Sequence, residues 1–195
     1  VSTERRRITR KRAAVLGAVA LLLLTGGAAA TSAAADSPAD SPRHVREAAL
    51  TGTAMIDRAK GDEITFTFDA HLPFADRQDP GKARGTIRFS HYVEELNWGG
   101  AGEAKVDCLM TGGKVATVSA VVTRADGDLK DTIGKRVGLT VHDRGKQDGF
   151  GYSWAMVGLP SALPDDMPKC VGGAPFEKTR PGSGTFHVAP LDHRP

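Results

Sequence analysis

Glu103-Ala-Lys-Val-Asp-Cys-Leu-Met-Thr111, Gly112-Gly113 and Lys114-Val-Ala-Thr-Val-Ser-Ala-Val-Val-Thr123 open the stretch whose reading decides the fold. After a polar break it continues as Arg136-Val-Gly-Leu-Thr-Val-His-Asp143 and Phe150-Gly-Tyr-Ser-Trp-Ala-Met-Val157. Each run is short, rich in Val, Thr and aromatic residues, and bounded by Gly- or Asp-rich punctuation. That pattern predicts consecutive antiparallel strands. Gly112-Gly113 suits a tight hairpin, since glycine tolerates positive φ without strain. The stretch holds no recognisable catalytic or cofactor motif.

The same alternation extends outward. Ile64, Phe66, Phe68 and Ala70 interleave with Thr65, Thr67, Asp69 and His71, which puts an apolar face on the core and a polar face opposite. Ile87 and Phe89 repeat the pattern, with His91 on their parity. Glu94 to Gly102 reads as a loop tip carrying Trp98. Ala104, Val106 and Cys108 define one core face, and Val137, Leu139 and Val141 another. Phe150, Tyr152, Trp154 and Met156 form an aromatic row. Ala48 to Ala59 is open between strand and short helix. Gly158 to Gly182 is a long, proline-stiffened connection before a last strand near Thr185 to Ala189. These runs predict an all-β domain, an antiparallel β-sandwich of about seven or eight strands, with a closed antiparallel barrel as the alternative.

In front of the domain, Arg5, Arg6, Arg7, Arg10, Lys11 and Arg12 precede an apolar run, Ala13 to Leu24, and the small residues Ala33-Ala34-Ala35. A basic region, a short apolar core and a small-residue cleavage site together predict a secretory signal peptide over 1–35, its helix preceding the fold. The twelve apolar residues are too few to span a bilayer comfortably. Residues 36–47, with Ser37-Pro38 and Ser41-Pro42, read as a flexible linker, and 48–195 as a single β domain. Sec and twin-arginine export both remain open.

The charge balance depends on that cleavage. The chain has 26 Lys+Arg and 23 Asp+Glu, a formal net of +3. Six of the basic residues and one acidic residue lie within 1–35, so the remainder keeps 20 basic and 22 acidic residues, a net of −2. No basic stripe is left for nucleic acid, and no stable membrane span is expected after cleavage. Two cysteines in an exported chain predict a Cys108–Cys170 disulfide. Closing that loop constrains the unfolded chain by about 4 kcal/mol.

Several residues carry candidate chemistry. Asp69 and His71 share a strand face, and His142 lies on the polar face of another strand; brought together, they would suit zinc or another divalent ion. Nothing in the sequence makes those strands neighbours, and no cofactor is expected. Gly151-Tyr-Ser153-Trp-Ala155 superficially resembles a nucleophile elbow, but Ser153 falls inside a predicted strand with no helix after it. Asp143, Asp148, Asp165 and Asp166 match no calcium-loop spacing, and turn chemistry accounts for the first two. Trp98, with Tyr92 nearby, is the candidate contact for a sugar or protein partner.

With these residues in view, the core becomes similar to a known group. Ile64–His71, Gly85–Tyr92, Val106–Leu109, Gly112–Ala116, Leu139–Lys146, Gly151–Ala155, Pro168–Cys170 and Ala174–Glu177 resemble exported actinobacterial proteins sometimes labelled repetin, unrelated to the vertebrate protein of that name. The middle portion also resembles a β module that follows anchor domains in bacterial surface proteins. The resemblance spans about 61 to 188; it implies secretion and an all-β domain and transfers no catalytic residue. The resulting expectation is a non-enzymatic, secreted β-sandwich acting as an interaction module on an extracellular or cell-wall partner. The alternative is a small-molecule or metal-binding barrel.

Overall fold

Residues 47–191 are described by a computed structural model of the chain. The predicted signal peptide and nearly all of the predicted linker lie outside the described residues. Nine strands follow one another: β1 (Ala48–Met55), β2 (Asp62–Leu72), β3 (Arg84–Val93), β4 (Trp98–Gly112), β5 (Val115–Ala125), β6 (Arg136–His142), β7 (Gly149–Tyr152), β8 (Glu177–Lys178) and β9 (Thr185–Ala189). Every pairing is antiparallel, and the order across the sheet is β8-β7-β6-β5-β4-β3-β2-β1-β9. Ala48 onward is therefore strand rather than helix. The predicted all-β class holds, but the ladder runs through nine strands in one sheet, where a sandwich of seven or eight strands in two sheets was expected.

That sheet is curled into a half-barrel. Phe66 and Phe68 of β2 face inward, and their rings meet Phe150 of β7 at 4.7 Å and Phe186 of β9 at 5.0 Å. Four strands lie between β2 and β7 in the sheet, so only strong coiling brings those rings into contact. Strand twist provides it, and the aromatic burial rewards it. Ile64, Phe66, Phe68, Ala70 and Leu72 are all buried, as their alternation requires. The hairpin between β4 and β5 turns at Gly113-Lys114, with Gly113 at φ 57°.

Two inward assignments need correction. The β4–β5 register shifts between Val106 and Cys108, leaving Asp107 as an extra residue in a β-bulge. A bulge reverses side-chain parity. Leu109 thus joins the core, and Cys108 turns to the outer face opposite Ser119. Further on, β7 stops at Tyr152, so the aromatic row keeps Phe150, Tyr152 and Trp154 but loses Met156, which is 94% exposed.

The outer position of Cys108 is what anchors the long connection. Residues 153–176 form no strand, and their later part lies as a strap on the outer face of the sheet. Cys170 bonds Cys108, with Cα atoms 5.4 Å apart. The Cys170 amide donates to Ser119 Oγ at 3.0 Å, and that hydroxyl donates to Asp107 Oδ1 at 2.7 Å. Arg136 donates to Asp107 Oδ2 and to the Met167 carbonyl, and Lys135 to the Leu163 carbonyl. The strap lies close: a Cβ on Gly138 would sit 1.7 Å from the Val171 carbonyl oxygen, and one on Gly151 2.0 Å from that of Ala174.

The two edges of the sheet, β8 and β9, do not pair with each other. Backbone bonds join the end of β1 to the end of β8, from Asp57 N to the Lys178 carbonyl and from Arg180 N to the Met55 carbonyl, and carboxylates bridge the remaining gap. Phe186 and Val188, on the free edge of β9, donate their amides to Asp148 Oδ2 at 2.8 Å and Asp143 Oδ2 at 3.2 Å. Asp148 is fully buried and also accepts from the amides of Arg144 and Gly145 and from Thr185 Oγ1. The turn role read from the sequence is present, and a second one is added to it. An unpaired strand edge templates association with other chains; here its donors are occupied.

Candidate aromatic cavity

At the end of the half-barrel where β1 leads into β2, the curled sheet leaves a cavity of 90 Å³. That is several times the roughly 10–15 Å³ one water needs. Phe66, Ile87, Leu139 and Phe150 line its inner part, with Tyr152 and Trp154 along one wall. The Tyr152 and Trp154 rings lie 4.7 Å apart, so a continuous aromatic surface faces the space. Leu159, 41% exposed, marks where the lining reaches solvent.

One end of this apolar space is polar. After β1 the chain continues through a bridge between Ile56 and Thr179, and the Asp57 amide donates to the Lys178 carbonyl. This places Arg58 opposite Glu177 of β8. Arg58 Nη2 donates to Glu177 Oε1 at 2.5 Å and to Tyr152 Oη at 3.0 Å, and Tyr152 donates in turn to Glu177 Oε1 at 2.7 Å. Burial and the Glu177 carboxylate push the Tyr152 phenol above its ordinary range, with Arg58 opposing them. It is therefore a neutral donor at physiological pH. The side chains of Arg58 and Glu177 are 32% and 14% exposed.

Two polar atoms at that end are buried without a partner, Arg58 Nε and Glu177 Oε2. More than about nine in ten buried polar groups in folded proteins find one. Leaving a buried donor or acceptor unpaired costs about 1–3 kcal/mol, more when the group is charged. Among the described residues no other side-chain atom shares this condition. An internally neutral ion pair, its one unpaired donor and one unpaired acceptor both shielded from solvent, thus borders the aromatic cavity.

The residues singled out in the sequence lie elsewhere. His71 is bracketed by carboxylates, Nε2 at 2.9 Å from Asp69 Oδ1 and Nδ1 at 2.8 Å from Glu47 Oε1. Burial pulls its pKa down, but the hydrogen bonds to Asp69 and Glu47 outweigh that and hold it above 6.5. His142 is on β6, between Val115 and Gly149, where Arg144 Nε donates to its Nδ1 at 3.3 Å. No group of three or more His, Cys, Asp or Glu among the described residues is arranged to hold a metal ion. Ser153 Oγ accepts the Gly138 amide, and Asp165 pairs with Lys135.

Trp98 and Tyr92 are brought together. Trp98 is the first residue of β4 rather than the middle of a loop, because Glu94–Leu96 forms a 3-10 turn and Asn97 takes a left-handed φ of 45°. The Trp98 ring stands edge-on to His91 at 5.0 Å, and His91 Nε2 contacts Asp62 Oδ1 at 2.8 Å. With Tyr92, Glu63, Glu94 and Asp128, Trp98 lines an open groove of 600 Å³. Tyr92 is 50% exposed there.

Sequence reasoning missed Arg58 and Glu177. They are 119 positions apart, in segments without a periodic pattern, and the Ile56–Thr179 bridge with its flanking backbone bonds joins them. The one legible signal is the aromatic row beginning at Phe150. No helix among the described residues is long and apolar enough to cross a membrane. No protein-family model, curated protein or solved structure matches this chain.

Proposed function

We propose that this is an exported, non-enzymatic binding protein that holds a small, largely apolar molecule in the cavity between β2, β3, β6 and β7. One observation carries the reading: an aromatic-walled cavity of 90 Å³ that reaches solvent at Leu159 and is bordered at one end by the Arg58–Glu177 pair. Ligand sites are concave and mostly apolar, with a few convergent polar groups. The Cys108–Cys170 bond supports an oxidising compartment, as does the resemblance to exported actinobacterial proteins. The balance of 20 basic and 22 acidic residues outside 1–35 argues against nucleic acid as a partner.

A thermal-shift screen of the full chain against small neutral ring compounds tests the proposal. A ligand at 100 times its Kd stabilises by roughly 2.7 kcal/mol. For a domain of this size that is a rise of about 5–10 °C. A library that produces no shift at millimolar concentration would sink the reading.

A second reading has its own observation. Half-exposed Tyr92 beside Trp98 in the open groove suits a surface contact with an extracellular or cell-wall partner. Retention of the protein on isolated cell wall, lost in Trp98→Ala with the fold intact, would favour this interaction module over the cavity.

A further inference from the structure

Resting on the cavity being a ligand site, we infer that its ligand is an amphiphile with an extended hydrocarbon tail. The end of the tail fills the aromatic space, its next methylenes lie along an exposed apolar rim, and its headgroup stays in solvent. The mouth of the cavity carries this. Trp154, Gly158, Leu159 and Pro160 belong to its lining. The Trp154 carbonyl accepts the Val157 amide at 3.0 Å and the Gly158 amide at 2.9 Å. That turn sets its two ends, Trp154 and Gly158, against the cavity and leaves Ala155, Met156 and Val157 at the lip. Every residue from Ala155 to Leu159 is exposed, and none has a polar side chain. Met156 is the most exposed large hydrophobic side chain among the described residues. On the opposite flank, half-exposed Phe176 stands edge-on to the Tyr152 ring at 5.0 Å.

A run of consecutive exposed apolar residues is unfavourable unless it has a use, and beside a pocket it marks surface that something apolar covers. The size of the space says how far the occupant reaches. An apolar cavity of about 150 Å³ holds a benzene ring; at 90 Å³ this one takes less, so a ligand extends past the mouth. A tail that starts against Phe66 and Phe150 and leaves past Leu159 covers the interior and the rim together. The charged groups bordering the interior offer a headgroup nothing. Arg58 and Glu177 neutralise each other, their unpaired atoms are shielded, and Tyr152 Oη is already both donor and acceptor. Chain length, not head charge, therefore sets the affinity.

Calorimetric titration of the full chain with 1-butanol, 1-hexanol, 1-octanol, toluene, octanoate and octyltrimethylammonium tests this. Each methylene taken out of water contributes about a threefold gain in affinity. 1-Octanol should therefore bind at least about tenfold more tightly than 1-butanol and than toluene. The two eight-carbon ions should fall within about tenfold of 1-octanol, since a solvated head charge is screened. Met156→Ser with Val157→Ser changes only exposed side chains. It should weaken 1-octanol at least about fivefold and leave 1-butanol and the urea midpoint as in the wild type. The Met156 methyl resonance should move with 1-octanol and stay in place with 1-butanol. Equal affinities along the alcohol series would overturn the inference while leaving the cavity a ligand site. Unchanged 1-octanol affinity in the double variant would overturn it as well. Binding to phosphatidylcholine vesicles that the double variant loses, with 1-octanol affinity untouched, would make the turn a membrane contact instead. If none of the six compounds binds, both readings fall. Should the double variant not fold, the alcohol series and the Met156 resonance decide alone.

Discussion

Replacing Asp148 by Ala tests the way the open sheet is held closed. Asp148 is fully buried and accepts four hydrogen bonds, from the Arg144 and Gly145 amides at Oδ1 and from Phe186 N and Thr185 Oγ1 at Oδ2. Hydrogen bonds to a charged group contribute about 1.5–3 kcal/mol each, but donors that water can reach recover most of that. The Arg144 and Gly145 amides lie in an accessible turn. The Phe186 amide is at a buried edge, where an orphaned donor costs about 1–3 kcal/mol. Adding the lost charged hydrogen bond from Thr185, about 1.5–3 kcal/mol, brings the expected cost to about 3–5 kcal/mol. Against a total of roughly 5–15 kcal/mol, that is a large fraction, equivalent to about 6–20 °C in Tm. Asp148→Asn keeps the shape but offers one acceptor oxygen, so roughly half the loss is expected. Urea unfolding gives the free energies, and hydrogen exchange at the Phe186 and Val188 amides localises the opening. A loss under about 1 kcal/mol in Asp148→Ala, or unchanged protection at Phe186, would refute the carboxylate closure.

Three further outcomes are expected. Asp143 resists ionisation through burial, yet the Val188 amide, Lys114 and His187 together hold its pKa below the ordinary 3.8. Its contribution is therefore fully present above about pH 4 and fades as the pH falls through the lowered value. The stability gap between wild type and Asp143→Asn should shrink accordingly when unfolding is followed from pH 6 down to pH 2. Gly138→Ala places a methyl 1.7 Å from the Val171 carbonyl oxygen. Such overpacking costs about 1–3 kcal/mol, read as a lower urea midpoint with new exchange at Cys170 and Val171. Cys108→Ser with Cys170→Ser opens a loop of 62 residues, with an expected loss of about 4 kcal/mol. A double variant as stable as wild type would show that the remaining Arg136 and Lys135 contacts hold the strap unaided.

Much of the fold was legible because the relevant signal is local. Ile64 to Leu72 alternates without interruption, and the strand it forms buries the set that the alternation selects. Thr185 to Ala189 is a strand at the predicted bounds. The cysteine pairing followed from the count and the compartment read from the leader. Trp98 illustrates the opposite case: three nearby glycines suggested a loop, while pairing with Val93 keeps it in a strand. Of the candidate site, only the aromatic row was visible. Asp69, His71 and His142 looked like a cluster because period two shows which face a residue occupies, not which strands adjoin.

By itself, then, the sequence determined most of the strands, the antiparallel class, most of the apolar faces and the one covalent cross-link. Those features depend on neighbours within a few residues, or on a two-cysteine count that leaves a single choice. The tertiary structure alone decided that nine strands form one curled sheet instead of two layers. It also turned Cys108 outward through the Asp107 bulge, and used Asp143 and Asp148 to cap the free edge of β9. Above all it set Arg58 against Glu177, 119 residues away, at the end of an aromatic cavity. Sheet coiling and edge registry are sums over many distant contacts, and no local pattern encodes where their ends meet.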